Sequence, residues 1–263
     1  MRRAHAALAF CALAALASIA LAAPPKGLVH RAPARPSHAQ IVKKWHESDG
    51  AKAPRDAVGR PMLALVSLNT GERVDLAADS DEGGFDAAAL ERASTVLRDP
   101  RTGLRHPVEP ALLDLVYRAQ RRFDAPEIRM ISGYRAPTSG GASNHGRGRA
   151  MDLVVPGASD EAVAGWAREL GFAGVGIYPK SGFCHLDVRP QSHFWVDASG
   201  PGQRSRERAL PGSRASKADV DARRRNERGV APFLLPSADI GAAWRGAARD
   251  VSPADDGDDD HDR

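Results

Sequence analysis

Two cysteines in 263 residues exclude a disulfide-stapled scaffold and any four-thiolate zinc or iron–sulfur site. Aromatic residues are also scarce. Seven Phe, three Tyr and four Trp are few for a core spanning the whole length, so the folded domain is expected to be smaller than the chain. No GxSxG, SxxK, HExxH or GxxxxGK motif occurs, which removes sequence support for a serine hydrolase, a zincin or a nucleotide-phosphate site. Charge of one sign is lacking as well. The net charge of +4 is too mild to argue for a nucleic-acid partner, and none is expected.

What is present begins with an export signal. Arg2 and Arg3 precede an apolar run from Ala6 to Leu21, and Ala20-Leu21-Ala22 offers small residues for cleavage, so residues 1–22 read as a secretory signal peptide. The run is shorter than the roughly 20 residues a spanning helix needs, so no stable membrane span is expected. Cys11 has no lipobox before it, because Phe10 stands where a small residue is required. Cleavage leaves Cys184 as the one mature cysteine of a protein expected in the periplasm or cell envelope.

Residues 23–60 are rich in proline and basic groups and read as a linker. A domain is expected over 61–198. Met62 to Leu68 and Val74 to Leu76, joined by Asn69-Thr70-Gly71-Glu72, predict a hairpin. Helical spacing of apolar residues follows over Phe85 to Leu97 and Pro110 to Phe123. Strands are predicted at 127–132, 150–155, 175–178 and 183–188, with a helix over 159–170. This order argues for an α+β fold. Residues 199–263 mix arginines with Ser, Gly and Pro and end in the acidic run Asp255 to Asp260. Without apolar periodicity they read as a disordered charged tail.

Alternation along the strands separates chemistry from core. Asp152 shares one face of its strand with Ala150 and Val154. Phe183, His185 and Asp187 share a face of theirs, while Cys184, Leu186 and Val188 point the other way. Cys184 therefore reads as a buried small hydrophobe, not a ligand or nucleophile. His145, delivered by a glycine-rich loop after the 127–132 strand, together with Asp152 and His185 supplies two nitrogens and one oxygen, a set suited to catalytic zinc. On spacing alone, structural histidines at strand ends remain the alternative.

Ser132-Gly-Tyr-Arg135, Ser143-Asn-His-Gly-Arg-Gly-Arg-Ala-Met-Asp152 and the run Gly174 to Val188 (GVGIYPKSGFCHLDV) resemble the YcbK-like murein endopeptidases. These belong with the zinc D-Ala-D-Ala metallopeptidases, a group that includes lysostaphin-type enzymes and the hedgehog signalling domain. The resemblance covers roughly residues 67–195. It implies a mainly antiparallel sheet with a Zn2+ site on one face, ligated by His145, Asp152 and His185, and helices on the other face. It also implies a peptidoglycan peptide as substrate and hydrolysis of an amide bond in its stems or cross-links. Arg135 would neutralise a substrate carboxylate or the developing oxyanion, with a structural loop arginine as the alternative.

The chain departs from the wider group at one position. Relatives often carry an acidic general base three residues before the last ligand, where this sequence has Gly182. Asp187 is left either as the substitute catalytic base or as a carboxylate that orients His185. A non-catalytic, zinc-containing peptidoglycan-binding module is the competing expectation. His193 reads as an exposed or stacking residue, with a place lining the cleft as the alternative, and His46 and His106 as surface groups without partners. Which amide bond is cut and the oligomeric state are not legible.

Overall fold

The computed structural model describes residues 35–137 and 143–231. The signal-peptide reading, 1–22, lies outside the described residues, as does the acidic run 255–260. Among the described residues, no helix is long and apolar enough to cross a membrane.

The hairpin forms as expected: β1 (Leu63–Ser67) pairs antiparallel with β2 (Arg73–Leu76), with Gly71 at φ +73° in the turn. Helix α1 (His38–His46) precedes it; α2 (Ala87–Val96) and α3 (Pro110–Arg122) follow. Asp86 caps α2 by accepting from Ala89 N at 2.7 Å, and Pro110 opens α3, where a missing N–H costs nothing. Then come β3 (Ile128–Ser132), β4 (Ala150–Val154), α4 (Asp160–Leu170), β5 (Ala173–Tyr178) and β6 (Phe183–Val188). Two further strands, β7 (His193–Asp197) and β8 (Glu207–Ala209), and a last helix, α5 (Gly212–Arg224), complete the described residues.

The strands form one eight-stranded sheet in the order β2-β1-β3-β4-β6-β5-β7-β8. Neighbours are antiparallel except β1·β3 and β5·β7. The fold is α+β, as the sequence implied, although the sheet is larger than expected. Met151, Leu153, Val175, Cys184 and Leu186 project to the helix-covered side and join Leu112, Val116, Val163 and Ala167 in the core. The polar residues of β4 and β6 are left on the opposite face.

Both flanks differ from their sequence reading. The stretch read as a linker contains α1, capped by a reciprocal Ser37–Gln40 pair, whose Val42 packs over Gly182. The stretch read as a disordered tail supplies β8 and α5. The physical reason is that α5 docks through small residues, not large ones: Ala215, Ala218 and Ala222 are buried, and Gly171 (φ +78°) lets the α4–β5 turn approach them closely. Buried Asp219 anchors the helix, accepting from Phe172 N at 2.7 Å, Ser192 Oγ at 2.6 Å and Ser192 N at 3.0 Å. An alanine stripe among Ser, Arg, Lys and Asp leaves little hydropathic signal.

If α5 is part of the folded unit, Ala222→Asp, which places a charge at a fully buried position, lowers stability by about 2–4 kcal/mol in urea unfolding. An unchanged midpoint would mean that the helix is a loose appendage.

Candidate metal centre

The register of β4 against β6 brings the first two groups together. Asp152 lies directly opposite His185, and Ala150 opposite Asp187. Asp152 Oδ1 and His185 Nδ1 are 2.9 Å apart. His145 arrives from a different element, a 3-10 turn (His145–Arg147). Its Nδ1 donates to Gly133 O at 2.6 Å, which turns Nε2 toward the pair, 3.2 Å from His185 Nδ1. Gly133 is required there because a Cβ would strike Leu97 at the end of α2.

His145, Asp152 and His185 each offer a donor atom within 4.8 Å of the others, and all three are buried. The outer nitrogens are anchored. His145 gives its N–H to Gly133 O, and His185 Nε2 meets Asp187 Oδ2 at 2.9 Å. That leaves Nε2 of His145, Nδ1 of His185 and a carboxylate oxygen of Asp152 converging from three sides, a donor set that fits zinc. In this structure the guanidinium of Arg135 stands on the same donors: Nη2 donates to Asp152 and to His145 Nε2, the latter at 2.8 Å, and Nε donates to Ser132 Oγ at 2.8 Å.

Asp187 is fully buried and doubly engaged. Arg189 Nε donates to its Oδ1 at 2.6 Å and Nη2 to its Oδ2, the oxygen that also faces His185. Burial works to raise the carboxyl pKa, but the bonds from Arg189 and His185 outweigh it and hold the group well below the usual range. Burial likewise opposes ionisation of Asp152, and His145 and His185 reverse that balance. His185 is desolvated, yet its two carboxylate partners raise its pKa to about 9. Burial lowers that of His145 despite the nearby Asp152. The two carboxylates thus favour a protonated His185, while burial favours a neutral His145.

The cluster opens onto a cleft of about 240 Å³. Its floor depends on two glycines facing the site from β5. A Cβ on Gly174 would strike Asp187 and Arg189, and one on Gly176 would strike the indole of Trp195. Trp195 thus crosses β5 to lie 4.9 Å, centroid to centroid, from His185, with its Nε1 donating to Tyr178 Oη at 3.2 Å. His193 also stacks on Trp195, at 5.4 Å, so it both stacks and lines the cleft.

Each candidate from the sequence, His145, Asp152, His185, Asp187 and Arg135, falls at this one place. Cys184 faces away from it: fully buried, its thiol donates to Asp160 O at 3.1 Å, and burial beside Asp160 pushes its pKa up. Two expectations are corrected. His46 is half-buried, with Ala158 O and Gly182 O at 3.2 and 3.3 Å from its ring nitrogens, and His106 stacks on Tyr134 at 5.4 Å. Sequence reasoning missed Tyr178 and Glu207 in the cleft. The alternation Gly174, Gly176, Tyr178 was a usable signal for the first; nothing signalled the second.

An α+β domain with this cluster at the base of a cleft is built as a peptidase of the M15_2 type. The family model described as peptidoglycan L,D-endopeptidase MepK matches residues 55–195, and the chain belongs to that family. The probable peptidoglycan L,D-endopeptidase MepK of Haemophilus influenzae is 31% identical over 175 residues, covering 57% of this chain and 94% of that protein. The peptidoglycan L,D-endopeptidase MepK of Escherichia coli K12 is 32% identical over 145 residues, covering 51% and 79% respectively. No solved structure matches the chain.

The charge arrangement gives a pH signature in chelator-treated protein. Because the His185 pKa is raised from 6.5 to about 9 on folding, its contribution to stability is complete below about pH 6.5 and is lost as pH rises through 9. Urea midpoints should fall across that window in the wild type, and His185→Gln should lack this fall. A wild-type midpoint flat from pH 6.5 to 9 would refute the imidazolium assignment.

Proposed function

We propose that this protein is an exported, zinc-dependent peptidoglycan hydrolase that cleaves an amide bond in the peptide cross-links, the L,D bond named for its relatives. The observation that carries the reading is the His145/Asp152/His185 donor set with both outer imidazole nitrogens already held, inside a chain of this family. The apolar N-terminal run supports export to the periplasm.

His145, Asp152 and His185 would hold zinc, which supplies Lewis acidity toward a carbonyl oxygen and lowers the pKa of water. The chain's own residues do the rest. Arg135, which lines the cleft beside the donor set, would meet the charge that develops on the substrate oxygen, or a peptide carboxylate. Trp195 and Tyr178 wall the site on its β5 and β7 side and restrict water around the scissile bond.

Of the two roles open to Asp187, we assign the orienting one. An enclosed carboxylate paired with Arg189, and with a depressed pKa, is a poor proton acceptor and a good anchor for His185 Nε2–H. A glycine at 182 is consistent with the local packing, since Gly182 has φ +76° and a Cβ there would strike Val42 of α1. The same observation favours the second reading, a zinc-containing binding module without turnover, because the acidic base of the wider group is missing.

Digestion of purified sacculi separates the two. The wild type is expected to release new muropeptides, and His185→Ala none. A zinc-loaded wild type that releases nothing, where a control hydrolase succeeds, leaves the binding module standing. Asp187→Asn is expected to weaken zinc affinity by about 10–100-fold in competition with a chromogenic chelator. Unchanged affinity would remove Asp187 from the orienting role.

A further inference from the structure

The far wall of the cleft carries a carboxylate with no Arg or Lys side chain paired to it among the described residues. Glu207 lies on β8, opposite Asp197 of β7, in the stretch beyond the family-matched residues 55–195. It lines the same cleft as His145 and His185. Its partner is the His193 ring, with Nε2 3.5 Å from Oε1, too long for a good hydrogen bond, and both groups are near half exposed.

The remaining charges of the cleft are already committed. Arg135 is held by Ser132, His145 and Asp152, and Arg189 by Asp187. Asp197, opposite Glu207 on β7 and outside the cleft lining, caps its own loop, accepting from Ser199 N at 2.7 Å, Ser205 Oγ at 2.7 Å and Arg206 N at 3.1 Å. The cleft thus carries the guanidinium groups of Arg135 and Arg189 beside the candidate metal donors and the Glu207 carboxylate at its distal end, with the Trp195–His193 stack between. From β6 across β5 and β7 to β8 is three strand spacings, about 14 Å, the length of about four residues of extended peptide.

We propose that Glu207 is a specificity-determining residue that reads a primary ammonium group on the peptide substrate, some four residues' length from the bond being cut. The proposal rests on the hydrolase reading above, but its chemistry is one of binding. A solvated carboxylate without an Arg or Lys partner is desolvated cheaply and attracts a cation through space, and a peptide carrying both an ammonium and a carboxylate matches the two ends of the cleft.

The test is calorimetric titration of the full chain with a synthetic stem peptide that has a free side-chain amine, and with the same peptide N-acetylated. The wild type is expected to prefer the amine form about fivefold, the upper range for a solvated ion pair. The preference should shrink as salt rises from low to molar concentration. Glu207→Gln, an exposed isosteric change, is expected to bind both forms alike, which separates the charge effect from the added bulk of the acetyl group. A wild type that fails to discriminate or binds neither peptide, or a Glu207→Gln that discriminates as well as the wild type, overturns the proposal. Because binding is read without turnover, a protein that discriminates yet cuts nothing sinks the hydrolase reading alone.

Discussion

The antiparallel pairing of β4 with β6 is the constraint on which the site depends. It sets Asp152 against His185 and, two ladder positions along on the same face, Ala150 against Asp187, so two members of the donor set and the carboxylate beside them come from a single pair of strands. Side chains alternate with a period of two, so a slip of one residue would send His185 and Asp187 into the core and Cys184 and Leu186 into the cleft. The apolar partners Met151, Leu153, Cys184 and Leu186 on the helix side are what prevent it.

Around that pair the chain has arranged a sequence of supports. Leu97 presses on Gly133, Gly133 O holds His145, Arg189 holds Asp187, and Asp187 holds His185. Gly174 and Gly176 leave room for Arg189, Asp187 and Trp195 over β5. Such supports matter because a buried charged cluster is costly unless each member has a partner, and a metal site is only as well defined as the groups that aim its ligands. The Arg135 guanidinium on Asp152 and His145 fits the same logic, since a buried carboxylate attracts whatever cation is within reach.

The central sheet and the candidate site residues were legible because they obey the simplest periodicities. Alternation separated Asp152, His185 and Asp187 from Leu153, Cys184 and Leu186, and the helical spacing of Leu112, Leu113, Val116 and Ala119 marked α3. The flanks were not legible, for reasons of packing. Helix α5 buries alanines and an aspartate, β8 is three exposed residues recognisable only by its pairing with β7, and α1 has no fully buried residue. Composition read all three as linker or tail. The partners of His46 likewise lie 112 and 136 positions away, a distance over which no local pattern speaks. Glu207 was missed for the same reason, because its place in the cleft follows from β8 joining the sheet.

The account stands on the claim that two imidazoles and one carboxylate, brought together by β4, β6 and the His145 turn, bind one metal ion. X-ray absorption at the zinc edge of reconstituted protein tests it directly. The expected result is one zinc per chain, with two imidazole nitrogens at about 2.0–2.1 Å and the remaining ligands oxygen. A sulfur shell at about 2.3 Å would place Cys184 at the metal, against the strand alternation that points it into the core. That result, or a protein that retains no stoichiometric zinc, would contradict the site described for this fold.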